Sequence, residues 1–245
     1  MDKKTDKTGL TAVREKIDAL DAEMRSLLLA RARLVEDVAR SKAGEPDAIP
    51  LRPGREMQQM QALVDWHHAA QLPFPLLSLL AVWREIIGAA LVQQGGLVVH
   101  ICAETAALAR NHFGVALNYH IHATTEALIA ACDADPRSVG IIPLDISFTP
   151  KGSARIFARL PLLDAPEAVC YGAVPFETTD TMVTLIRASA DGAQNIGTVL
   201  AQNGDAALVE IAASLRADEI ADSYGDKAVW LGNYDLLQLP EGRVR

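Results

Sequence analysis

Several things are scarce or missing in this chain of 245 residues. There are three cysteines, Cys102, Cys132 and Cys170, far apart in sequence. An odd count without close pairs makes neither a disulfide framework nor a zinc pattern, so free, buried thiols in a reducing compartment are expected. No apolar run approaches the ~20 residues of a membrane span. The opening MDKKTDKTG has no apolar core of a secretory signal. A cytoplasmic protein with no membrane segment is the expectation. P-loop, GxGxxG and GxSxG patterns are all missing, which removes the usual signatures of nucleotide and nucleophile-elbow chemistry. Positive charge is in deficit: 23 Lys+Arg against 31 Asp+Glu leave −8, which argues against a nucleic-acid partner. His67-His68 on a helix and His120 with His122 on a strand lack acidic or cysteine partners at ligand spacing, so no metal is expected. Aromatics are few, and Trp66, Trp83 and Trp230 read as packing residues.

What charge there is lies unevenly. The first 95 residues carry 13 of each sign, and the remainder carry 10 positive and 18 negative. This asymmetry predicts two modules, a helical one over 1–95 and an α/β one over 96–245.

The helical module is organised around one stretch, roughly Leu10 to Ala43. It has no Pro and no Gly, and its apolar residues (Leu10, Val13, Ile17, Leu20, Met24, Leu27, Leu34, Val38) recur at the helical period. Such a helix spans about 50 Å, too long for one small domain to cover. A second copy of the chain is its expected partner. GEPDAIPLRPG then reads as a loop, a second helix as Pro53 or Gly54 to Ala70, and a third as Pro75 to Gln94, stopped by Gly95-Gly96.

Arg31 and Lys42 are eleven positions apart, which returns them to within about 20° of one helix face and about 16 Å apart along the axis. Two long side chains so placed can grip one small anion. Arg14 lies about 25 Å from Arg31 on a different face, within reach only of the equivalent site in an antiparallel partner. Each cation taken singly reads first as a solvated helix face, or as cover for apolar surface.

The segments VREKIDALD, LLLARARLVEDVARSK, RPGRE and IIGAALVQQ, in this order, resemble the all-helical chorismate mutases over about Gly9 to Gln94. The resemblance implies rearrangement of the dianion chorismate to prephenate in phenylalanine and tyrosine biosynthesis, a pericyclic reaction needing no cofactor and no metal. It implies a homodimer through the N-terminal helices. It assigns Arg31 to one substrate carboxylate and Arg14, from the other subunit, to the second. Lys42 and Gln94 become donors to the ether oxygen. Glu56 becomes the acceptor from the substrate hydroxyl, and Arg55 beside it a substrate-binding residue. Alone, Glu56 reads equally as a favourable charge in a helix first turn and Gln94 reads first as an exposed helix end; the joint pattern reverses both. The chain departs from the family at Arg52, where an acidic residue is common, and at Ala90, where a small hydroxyl residue is common. Losing one hydroxyl contact costs about 1 kcal/mol, and Arg52 is an added substrate-binding candidate that could offset it.

In the second module, strand-like and helix-like stretches alternate from LVVHICA to AVWLGNYDLLQL, with a helix expected near AQNIGTVLAQNG. ATTEALIAACDADPRSVGIIPLDIS is similar to part of the prephenate dehydratases, but LDIS stands where an acidic-Asn-Ser stretch follows the turn, and TTDTMVTLI lacks the Arg and Phe of a Thr-Arg-Phe motif. A degenerate dehydratase-like or ligand-sensing domain is the reading, with an aromatic amino acid as its expected effector. The fold class is therefore α plus α/β: a three-helix module forming an intertwined dimer, then an α/β sandwich with a mixed sheet. Isochorismate pyruvate lyase, which shares the helical fold, and a non-catalytic dimeric sensor of an aromatic metabolite remain the alternatives.

Overall fold

The computed structural model describes residues 4–41, 49–144, 147–177, 179, 181–225 and 227–240, with side chains in the first helix from residue 9 on. The chain divides into two compact units, Met1–Pro46 and Asp47–Arg245.

The first unit holds one helix, α1 (Lys4–Ser41), of 38 residues. It begins six residues before the expected stretch and continues through Gly9. Its apolar stripe is exposed: Leu20, Leu27 and Leu34 are each more than half accessible.

In the second unit, α2 (Pro53–Ala69) starts with Pro in its first turn, where the missing N–H costs nothing. The next helix, α3 (Leu76–Gln93), ends as the Gly95-Gly96 pair turns into positive φ and returns its N–H groups to Val92 and Leu91. By length and composition alone α3 could cross a membrane. Here Leu79, Leu80, Ile87 and Leu91 are buried in a protein core, and Arg84 lies at the helix's middle. The sequence reading groups α2 and α3 with α1 in one module over 1–95. In the structure, α2 and α3 belong to the second unit and share a core with its sheet.

That sheet has nine strands among the described residues, in the order β2-β1-β3-β5-β4-β9-β6-β8-β7. Its first half is wound as βαβαβ: β1 (Val98–Cys102), α4 (Ala106–Phe113), β2 (Asn118–His122), α5 (Thr125–Ala134) and β3 (Ser138–Pro143). The three strands are parallel, with β1 central. The chain steps outward from β1 to β2 and back to β3, so right-handed crossovers put the two helices on opposite faces. The cores record this. Ala109 and Phe113 of α4 pack with α2 and α3, whereas Leu128 and Cys132 of α5 pack in a separate cluster. Neighbouring strand residues divide the same way, Ile141 to one core and Ile142 to the other, as the two-residue strand period requires. Antiparallel β4 (Arg155–Leu160) and β5 (Ala168–Gly172) extend the sheet from β3.

The second half, β6 (Met182–Ser189), β7 (Thr198–Asn203), β8 (Ala206–Ile211), α6 (Ala217–Tyr224) and β9 (Val229–Asp235), has the strand order β9-β6-β8-β7, a ferredoxin-like arrangement of two interleaved crossovers. The helix expected near AQNIGTVLAQNG is a 3₁₀ turn at Ala193–Asn195 followed by β7. The helix-like spacing there yields to a hairpin. Asn203 and Ala206 pair across Gly204-Asp205, with Gly204 at φ +57°, the primed-turn geometry that suits antiparallel strands.

The two halves meet where β4 and β9 pair at Ile156 and Gly232. Gly232 has φ +153°, and a Cβ there would sit 2.0 Å from the Ile156 carbonyl oxygen, so only glycine fits. A buried network ties the same region together: Arg159 of β4 pairs with Glu210 of β8 at 3.1 Å, and the Tyr234 hydroxyl of β9 donates to Glu210 at 2.8 Å.

Candidate functional site

The residues expected to carry chemistry divide between the two compact units. Arg14 and Arg31 lie on α1, Arg14 exposed and Arg31 half-buried, with burial lowering the Arg31 pKa from its ordinary value. Lys42 lies outside the described residues. Arg52, Arg55, Glu56 and Gln94 lie in the second unit.

Within that unit the expected site residues have contacts inside the protein. Arg52 donates from Nη1 to the carbonyls of Ile49 and Leu51, at 2.8 and 3.0 Å, pinning the turn that leads into α2. The Arg55 backbone N–H donates to the Glu177 carboxylate at 3.1 Å. That places an acid at the positive end of α2. Gln94 donates from Nε2 to Ala90, one turn back, at 3.1 Å.

Glu56 is buried, and its carboxylate accepts from Arg84 Nη1 at 3.0 Å. Burial raises the Glu56 pKa, and the charge and hydrogen bond of Arg84 oppose that rise. Burial lowers the Arg84 pKa, with Glu56 opposing. The two charges stabilise each other in a place where either alone would be costly. The surrounding groups extend the cluster. His112 of α4 is buried, and burial together with the Arg84 charge holds its pKa well below the ordinary 6.5, so the ring is neutral at pH 7. Cys170 of β5 is buried and its thiol is pushed up. The three cysteines are free and buried, as expected.

Arg84, His112 and His100 are the residues that sequence reasoning passed over. A signal existed for Arg84: one cation in the middle of LLSLLAVWREIIGAALVQ interrupts an apolar helix, and a core cation requires a partner. His100 bonds His122 across β1 and β2, Nδ1 to Nε2 at 2.8 Å, with the His120 ring 5.6 Å away. Burial, then His122 and His120, lower the His100 pKa. Among the described residues no group of three or more His, Cys, Asp or Glu could hold a metal ion. His67 bonds the Phe74 carbonyl at 2.7 Å, closing the turn between α2 and α3. In the stretch compared with the Thr-Arg-Phe motif, Thr179 and Thr181 bond Asp235.

No curated protein matches the chain. A solved structure described as "GqqA- a novel type of quorum quenching acylases" is similar at 12% identity and a TM-score of 0.39. The alignment covers 56% of this chain and 94% of that one, and a likeness of that size carries no argument about fold or activity. One family model matches, that of chorismate mutase type II, over residues 13–95. The matched span takes in most of α1 and all of α2 and α3. The helical N-terminal region, about a third of the chain, is thus similar to the type II chorismate mutases, and the match supports chorismate mutase activity of the isomerase class.

Proposed function

We propose that the protein rearranges chorismate to prephenate in phenylalanine and tyrosine biosynthesis, as a cytoplasmic homodimer joined through its N-terminal helices. The observation that carries the reading is the family match over residues 13–95, joined to the order of cations along that span. The exposed apolar stripe of α1 supports the dimer, since Leu20, Leu27 and Leu34 need a partner surface.

The chemistry fits the side chains. The rearrangement needs no nucleophile. It needs the flexible dianion held in its compact conformer and negative charge stabilised on the ether oxygen as the C–O bond breaks. Arg31, with Arg14 of the other subunit, takes the two carboxylates, because a guanidinium grips a carboxylate in a fixed fork. Lys42 and Gln94 donate to the ether oxygen. An aromatic amino acid acts as effector on the α/β part.

Glu56 is the one assignment with a strong competitor. Its carboxylate already accepts from Arg84 through one oxygen, and the buried Glu56–Arg84 pair favours a second reading, in which the helices serve a non-catalytic sensor. Chorismate consumption by the purified full-length protein, with Glu56→Gln beside it, separates the two. The mutase reading expects prephenate, and kcat/KM lowered at least tenfold in the variant. The sensor reading expects no turnover and loss of stability alone. Pyruvate from isochorismate, with chorismate untouched, would move the assignment to the lyase.

A further inference from the structure

Between α3, α4 and the chain following β4 lies a cavity of about 370 Å³, wholly inside the second compact unit. Its walls are apolar, from Leu80, Leu108 and Leu163. Three polar residues line it from the helices: Arg84, Asn111 and His112. Among the described residues the one carboxylate in the lining is that of Asp164, an exposed residue.

Arg84 is 4% exposed. Glu56 takes a hydrogen bond from its Nη1, and its Nε–H is buried with no partner among the described residues. A buried donor left without an acceptor is uncommon and costly. A guanidinium presents its donors as a fork, so the edge carrying Nε suits a second planar acceptor. Asn111 can donate from its amide, and His112, neutral through burial, has one ring N–H. The cavity is near the lower end of the ~300–1,000 Å³ common for small-molecule sites, which suits one ring or one branched alkyl chain.

We propose that this cavity is a binding site for a small amphipathic carboxylate, whose apolar body lies against the leucines and whose carboxylate is held by Arg84 with His112 and Asn111. The described mutase candidates are outside the lining, although Arg84 also bonds Glu56, and the proposal does not rest on the mutase reading. Close approach of the two helices frames it: a Cβ on Gly88 of α3 would sit 2.1 Å from the Phe113 carbonyl oxygen of α4. Glycine therefore sets the helix spacing at which Arg84 and His112 line one cavity.

The test is calorimetric titration of the full-length protein with 3-phenylpropionate and, separately, with its neutral analogue 3-phenylpropanamide. Saturable binding of the acid, at least tenfold tighter than the amide, is expected. Ala81→Phe fills the cavity from an exposed position of α3 and should abolish binding with the unfolding midpoint unchanged. Arg84→Lys keeps a cation facing Glu56 but loses the fork, and should weaken binding at least tenfold. No saturable binding, equal binding of acid and amide, or binding indifferent to both substitutions would overturn the proposal. Chorismate turnover, present or absent, leaves these outcomes unchanged.

Discussion

α1 and α3 are both long helices with an apolar stripe and arginine, yet they treat their cations in opposite ways. On α1 the stripe faces outward and Arg14 is solvated. On α3 the stripe is buried, and Arg84 is held in the core by Glu56. A solvated guanidinium can be offered to a ligand at little cost. A buried one is fixed in place, because its desolvation is offset only while its partner stays. The same residue type is therefore open to solvent on one helix and anchored by a carboxylate on the other, where Glu56 takes Nη1 and Nε has no partner among the described residues.

Removing the core cation should have the largest effect. Arg84→Met leaves the Glu56 carboxylate buried and unpaired, and is expected to cost about 3–5 kcal/mol in urea unfolding. The double variant Arg84→Met, Glu56→Leu should recover most of that, since replacing both partners removes the orphaned charge. If the single variant is as stable as the double, the pair is not structural and the contrast with α1 fails.

The opposite behaviour is expected on α1. Arg31→Ala should lower kcat/KM for chorismate by about 100- to 1,000-fold, the range for removing one preorganised charge partner, while stability stays within about 0.5 kcal/mol. A large loss of stability with unchanged kinetics would make Arg31 architectural like Arg84.

How far the sequence foretold this follows the same division. Periodicity foretold α1, α2, α3 and the alternation of strands and helices that follows, because apolar spacing reports which face is buried. β7 was misread: Ile196, Val199 and Leu200 have helix-like spacing, and the decisive Gly204-Asp205 turn lies beyond the far end of the strand. The placement of Arg14 and Arg31 on one long helix was legible from its period. The engagement of Glu56 was not, since its partner is 28 positions away on another helix. Nor was the packing of α2 and α3 onto the sheet, because an apolar stripe says that a face is buried and not against what.

The seam between the two halves of the sheet offers a smaller test. Gly232→Ala meets both a positive φ and the Ile156 carbonyl, and should cost about 2–3 kcal/mol. A neutral outcome would mean that β4 and β9 part without consequence.

The smallest effect concerns pH. His112 has its pKa lowered in the folded state by burial and then by Arg84. On acidification the unfolded chain therefore binds the proton first, and stability present above pH 6.5 is lost as pH falls below it. A slope of about 1.4 kcal/mol per pH unit is expected from this one group. His112→Asn should reduce that slope, leaving the part due to His100, whose pKa is lowered in the same direction. Unfolding midpoints between pH 7 and 5 measure it, and an unchanged slope in the variant would place the pH dependence elsewhere.

The most direct test of the central reading is chorismate loss by the purified protein with its product identified, run beside Lys42→Ala. The account expects prephenate, at a rate that falls at least 100-fold in the variant. Intact chorismate with wild-type protein, or prephenate formed equally well without Lys42, would contradict it.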